Sequence, residues 1–365
     1  MTNFKQPNII RSVYESFKPT AMKKWILLLP AFLIISLIGH AQTKPGWQLV
    51  KTTNTVNSRS ECGLAAANGK LYLMGGGGNA AMPVEIFDPV TATWTKGATA
   101  PSIMHHFQPV TLGDKIYVLE AFVDNNYPNQ TTAANVLCYD TKKDSWTKLA
   151  GLPADRRRAG AGAAVYNGKL YLAGGIQNGH ASGTTNMFDV YDPATDKWTA
   201  LPNAPHIRDH SMAAVLNDKL YAIGGRNTSI HEPEFGAFYS KVVLEVDVYD
   251  FKTGQWSTLA AKLPKGSGGG SAVAGGPFLH YIGGERATDT EANAPRKDVY
   301  YFIDLVPEAF NKLPDLNLAR NGAGAAVVSQ DKGNGITHHT IYVAGGAGNS
   351  GIGLESNIVI TKLSH

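Results

Sequence analysis

Four arginines recur at one place in a repeated pattern: Arg59, Arg158, Arg208 and Arg320 each stand just ahead of a run of small residues such as Gly160-Ala-Gly-Ala-Ala-Val165. Met104 and Ser267 hold that place in two further copies. Two residues on come Glu61, His106, Gly160, His210, Gly269 and Gly322. Guanidinium groups hold carboxylates and phosphates with paired donors, so four aimed at one cavity would bind an anion. The competing use is a brace, each arginine pairing with an acid or carbonyl of its own repeat. A brace should recur in every copy, and its absence from two favours the anion site.

A second set of candidates lies in the connecting loops. The longest runs from Arg226 to Tyr239 and carries His231, Glu232, Glu234 and three aromatic residues. Asp124, Asn125, Asn126 and Tyr127 come from an earlier loop, and Glu285, Arg286 and Asp289 from a later one. Aromatic rings with amides and carboxylates suit sugar recognition, the rings stacking on C–H faces while the polar groups read hydroxyls. An ordinary solvated loop has the same composition, but long loops in a compact repeat are more often functional. The expected ligand set is Arg59, Arg158, Arg208, Arg320, Arg226, His106, His210 and Tyr239, with an acidic sugar or acidic peptide as ligand. No cofactor or metal is expected.

The elements that must position these residues are short strands. Gly75-Gly76, Gly174-Gly175 and Gly224-Gly225 each follow a strand-like run, and Trp94, Trp198 and Trp256 trail them; Gly283-Gly284 and Gly345-Gly346 are weaker copies. A period of about 50 residues with this content signals a β-propeller. Within one unit a small-residue strand turns at Asn167-Gly168 into Lys169-Leu-Tyr-Leu-Ala173, a third strand ends at Asp192-Pro193, and Lys197-Trp198 begins a fourth. An aromatic residue precedes Trp by seven positions in Phe87/Trp94, Tyr139/Trp146, Tyr191/Trp198 and Tyr249/Trp256. In the second unit Leu119-Glu120 replaces the glycines, and in the fifth Phe310 replaces Trp. The sixth lacks a fourth strand, which Gly46-Trp47-Gln48-Leu49-Val50 can supply. The expected fold is therefore all-β: a six-bladed propeller of four antiparallel strands per blade, its last blade closed by the N-terminal strand. His338-His339 is expected in a surface hairpin, and Gly75-Gly-Gly-Gly78 is a glycine turn rather than a phosphate loop.

The double glycine, tyrosine and spaced tryptophan resemble the kelch repeat over essentially all of residues 42–365. Kelch propellers include enzymes, ligand binders and protein-interaction scaffolds, so the resemblance implies fold more than function. In size, leader and blade count the chain is similar to the exported sialic acid mutarotases of bacteria, which implies a glutamate and an arginine near the mouth; Glu232 or Glu234 with Arg208 are the stand-ins. The copper chemistry of galactose-oxidase-like kelch enzymes would draw on His105, His106, His210 and Tyr239, but the expected place of Cys138 on an outer strand argues against it. A scaffold without pocket chemistry is the third class.

Charge gives no case for nucleic acid. Of 33 basic and 29 acidic side chains, five and one fall in residues 1–41, which leaves 28 of each. Met22-Lys-Lys precedes an uncharged apolar stretch from Trp25 to Ile38, and Gly39-His-Ala41 ends it in small residues. That is a signal peptide, with cleavage expected after Ala41 and Met22 as an alternative start. Its 14 apolar residues fall short of the ~20 needed to span a bilayer. The mature chain, 42–365, is expected to be a single-domain monomer, periplasmic or secreted. Its two cysteines, Cys62 and Cys138, are expected as separate buried thiols.

Overall fold

A computed structural model describes residues 46–364 except 55, 289–290, 304–308, 334 and 349–359. The leader 1–41 lies outside the described residues. No helix among the described residues is long and apolar enough to cross a membrane.

The described chain forms six four-stranded antiparallel sheets arranged as blades. Blade one comprises Cys62–Ala67, Lys70–Gly75, Pro83–Asp88 and Thr93–Thr99, and blade three Gly162–Tyr166, Lys169–Ala173, Phe188–Asp192 and Lys197–Leu201. Blade six joins Asn321–Asp331, Thr337–Ala347 and Ile360–Ser364 to Gln48–Val50 from the other end of the chain. Leu49 pairs with Thr361, so the N-terminal strand completes the last blade as its sequence indicates. Closure removes two open sheet edges that would otherwise present unpaired amides.

The spaced aromatics explain how blades stack. Phe87, Tyr139, Tyr191 and Tyr249 lie directly opposite Trp94, Trp146, Trp198 and Trp256 on the outer pair of strands. Ring centroids in these pairs are 4.9–5.3 Å apart. In blade five Phe302 faces Phe310 at 5.4 Å. The indole nitrogens of Trp198 and Trp256 donate to Ala150 and Pro202, and that of Trp47 to Pro314, each in the preceding blade. Aromatic area thus fills the wide outer space between blades.

Near the axis the demand reverses. A Cβ on Gly162 would lie 2.5 Å from the carbonyl carbon of Met212, and one on Gly324 would lie 2.3 Å from the Leu64 nitrogen. Only glycine lets neighbouring inner strands approach that closely. The glycine pairs after the second strand take the left-handed conformation in five blades, as at Gly174 (φ 73°) and Gly175 (φ 109°). Strand pairing in blade two puts Glu120 and Ala121 in their place, one residue later than the sequence suggests. Neither has a positive φ.

Cys62 and Cys138 are separate buried thiols. His338 and His339 pair with Gln330 and Ser329 in the long hairpin of blade six.

Candidate functional site

The arginines do not meet at the axis. Arg59, Arg158 and Arg208 are fully buried within their own blades, paired with Glu85 at 2.9 Å, Asp189 at 2.7 Å and Asp247 at 2.8 Å. Each also donates to the carbonyl of its blade's first glycine, Gly75, Gly174 or Gly224, at 2.6–3.0 Å. Arg320, also buried, donates to the Gly345 carbonyl in the same way. Strand pairing makes Glu85, Asp189 and Asp247 equivalent, two residues before the aromatic of the third strand. Blades two and five, which have Met104 and Ser267 for the arginine, have Leu137 and Tyr300 for the acid. In these two blades arginine and acid are absent together, so their lack of the arginine was no evidence for an anion site; blade six keeps Arg320 but has Thr361 at the register position of the acid.

The next repeat position does line the axis. Glu61, His106, Gly160, His210, Gly269 and Gly322 begin the six inner strands, and all take the left-handed conformation, with φ between 49° and 65°. That turn hands the backbone to the neighbouring blade: the N–H groups of His106, Gly160, Gly269 and Gly322 donate to the carbonyls of Glu61, His106, His210 and Gly269 at 2.7–3.1 Å. The result is a narrow neck of about 20 Å³ lined by Glu61, His106 and His210 among glycines. Below it a cavity of about 330 Å³ is walled mainly by alanine, valine and glycine of the inner strands.

Loops between second and third strands build up the polar side of the neck. His180, on the loop between Ile176–Asn178 and Ser182–Thr184, places its Nε2 3.1 Å from Nε2 of His210. The His210 Nδ1 meets Asp209 at 2.5 Å, and Asp209 also accepts from the Thr228 amide at 2.9 Å and from the Thr184 and Thr228 hydroxyls. His106 Nε2 is 3.5 Å from Glu61. Arg226 donates to Glu285 at 2.7 Å and lies 5.0 and 4.8 Å from the rings of Phe238 and Tyr239. Asn293 and Asn321 donate to the other Glu285 oxygen at 2.9 and 3.1 Å.

Burial sets the charges. It holds His106 well below the usual imidazole range, with His105 and His210 adding to the effect, and takes His180 down to about 2. His210 is also lowered by burial and by Arg226, against the pull of Asp209. Burial and the neighbouring Glu285 raise Glu61 to about 7, with Arg226 opposing. Burial would raise Asp209 too, but its bond to His210 and the charge of Arg226 outweigh it and hold the carboxyl at about 2. Neutral imidazoles thus sit beside an ionised aspartate and an ion pair in low dielectric, an arrangement typical of functional sites.

Of the residues singled out in the sequence, His106, His210, Arg226 and Tyr239 come together here. Arg59, Arg158, Arg208 and Arg320 do not. Glu232 and Glu234 are exposed on their loop. Sequence reasoning missed His180, Asp209, Asn293 and Asn321, and gave Glu61 no role. One signal was present: Glu61, His106 and His210 occupy a position where the other three blades have glycine.

Family comparisons agree with this architecture. The KLHDC2/KLHL20/DRC7 Kelch-repeats domain matches residues 108–346, and the Kelch motif matches residues 58–101. The chain belongs to the kelch-repeat family. Kelch-like protein terF of Aspergillus terreus is 31% identical over 252 residues, covering 67% of this chain and 52% of that protein. Mouse kelch-like protein 36 is 29% identical over 288 residues, covering 77% of this chain and 44% of that protein. The chain thus spans about half the length of the curated relatives it matches. The solved structure of YjhT superposes with a TM-score of 0.65 at 19% identity, covering 86% of this chain and 96% of that one, a likeness of fold.

Proposed function

We propose that this kelch protein binds a polar, hydroxyl-bearing ligand over the neck of its channel, with a sugar as the first candidate. The observation that carries the reading is a pair of open acceptors: the Asn293 and Asn321 side-chain oxygens are buried without a hydrogen-bond partner among the described residues. Both amide nitrogens are already committed to Glu285, so each oxygen is left to receive a donor. A neutral ligand suits the mouth better than an anion, because Arg226 is already opposed by Glu285. Tyr127 and Tyr239 supply aromatic faces.

Thermal shift with neutral sugars, sialic acid and an acidic peptide tests this, since binding to the native state raises the melting temperature. A hydroxyl-rich sugar is expected to raise it, and Asn321→Ala to weaken that sugar about 10-fold, the value of one lost hydrogen bond of about 1.4 kcal/mol. No shift with any sugar rejects the reading. Faster relaxation of freshly dissolved sialic acid would add the isomerase activity that the mutarotase resemblance implies.

A protein partner is the second reading. Tyr127 and Phe235 are 52% and 53% exposed, with ring centroids 5.9 Å apart in an edge contact. The relatives' kelch-like architecture is compatible with docking on such a face. The apolar stretch and small residues ahead of Gln42 support export with cleavage after Ala41. N-terminal sequencing of protein recovered from cell fractions tests that placement.

A further inference from the structure

The hydrogen bonds around His106, His180 and His210 fix where their protons must be. Asp209 accepts at His210 Nδ1, so that nitrogen carries a proton. Gln130 Oε1 receives the backbone N–H of His180 at 3.3 Å, which identifies it as the oxygen; it lies 3.2 Å from His180 Nδ1, which therefore also carries a proton. In their neutral forms both rings then present Nε2 lone pairs, 3.1 Å apart. Two acceptors that close repel each other unless a cation lies between them.

His106 is fixed through its neighbour. His105 Nε2 faces the Asp124 carbonyl at 2.7 Å and must donate to it. That leaves His105 Nδ1 as the acceptor of a proton from His106 Nδ1, 2.6 Å away, and turns the His106 Nε2 into a third lone pair. One ring nitrogen from each of His106, His180 and His210 lies within 4.8 Å of the others. We propose that these three imidazoles bind a divalent first-row transition ion of the zinc type at the neck, with Glu61 beside it.

The donor set fits that chemistry. Three imidazoles and an adjacent carboxylate suit zinc, copper or nickel rather than magnesium or calcium. Each ring is oriented through its other nitrogen, His210 by Asp209, His180 by Gln130 and His106 by His105, as metal-bound imidazoles usually are. Zinc–nitrogen bonds of about 2.0–2.1 Å set tetrahedral ligand nitrogens about 3.4 Å apart. His180 and His210, at 3.1 Å, are close to that spacing, and a ring nitrogen of His106 lies within 4.8 Å of theirs. The site is independent of which ligand occupies the mouth.

The test is a zinc titration of chelator-stripped, tag-free protein by calorimetry, with elemental analysis of the product. One equivalent is expected to bind with submicromolar affinity, and His180→Gln to weaken it at least 100-fold while His339→Gln leaves it unchanged. In wild-type protein, nitrogen NMR should show zinc moving the His106, His180 and His210 Nε2 resonances, a readout that needs no variant to fold. Absence of stoichiometric zinc binding would overturn the proposal and leave a single shared proton between His180 and His210. Binding that survives His180→Gln, or that moves only the His338 and His339 resonances, would overturn it equally.

Discussion

The neck and the braces are built from the same six repeats, two residues apart in sequence, yet they obey opposite rules. At the brace position each arginine turns into its own blade, where Arg59, Arg158 and Arg208 meet an acid and Arg320 meets the Gly345 carbonyl. At the neck position the chain takes a left-handed turn, and the side chain, where there is one, faces the shared channel. The brace is a property of one blade. The neck is a property of the ring. Three blades put glycine at the neck, as the backbone prefers, and three place Glu61, His106 and His210 there despite the strain of a positive φ. Residues that tolerate strain where a glycine alternative is visible in the same molecule are better markers of function than charged residues that recur.

The sharpest way to break the comparison is at the brace. Arg208→Ala should cost about 3–5 kcal/mol, because it leaves Asp247 buried without its strongest partner. Denaturant unfolding measures it. Adding Asp247→Leu, so that the pair becomes apolar as it is at Met104 and Leu137, should recover much of the loss. If the double variant is as unstable as the single one, the arginine is not acting as half of a local pair.

Glu120 tests the place in blade two where the first glycine of the pair is replaced. It is buried, without a hydrogen-bond partner of good geometry, and burial raises its carboxyl well above the usual range, with Arg158 and the Gly160 and Ala161 amides offsetting only part of the effect. The folded state therefore holds a proton that the unfolded chain gives up near pH 4.5. Stability from this group is present below that pH and declines as pH rises toward the folded value. Glu120→Gln should raise stability at pH 7 by about 1–3 kcal/mol and lose that advantage at pH 4. A gain that is flat across this range would contradict the assignment.

The smallest effect belongs to the neck itself. Glu61→Gly should stabilise the fold by about 1 kcal/mol, through relief of the left-handed turn (φ 54°) and removal of a buried carboxyl beside Glu285. The same change should weaken whatever binds at the mouth. Gly160, Gly269 and Gly322 are the internal controls, and replacing one of them with alanine should destabilise.

Much of the architecture was legible because its signals are local and periodic. The Tyr191/Trp198 interval is fixed by two strands facing across one turn, and Trp47 could be assigned to blade six because the same aromatic signature stood at the wrong end of the chain. The site was less legible. Arg158 was visible but its partner Asp189 lies a full two strands later, so the pair could be recognised only once strand register was known. His180 reached His210 through a loop that contains no repeat, and Gln130 and Asp209 matter through which nitrogen they orient, a relation no spacing encodes. The one-residue misplacement at Glu120 has a similar origin: without glycine there, nothing in the sequence marks where the second strand stops.

The pairing of Leu49 with Thr361 has a temporal consequence. Synthesis proceeds from the N-terminus, so residues 48–50 are made long before Ile360–Ser364, the strand they pair with. Until then five wedges can form but the circle stays open, and its cooperative stability is withheld.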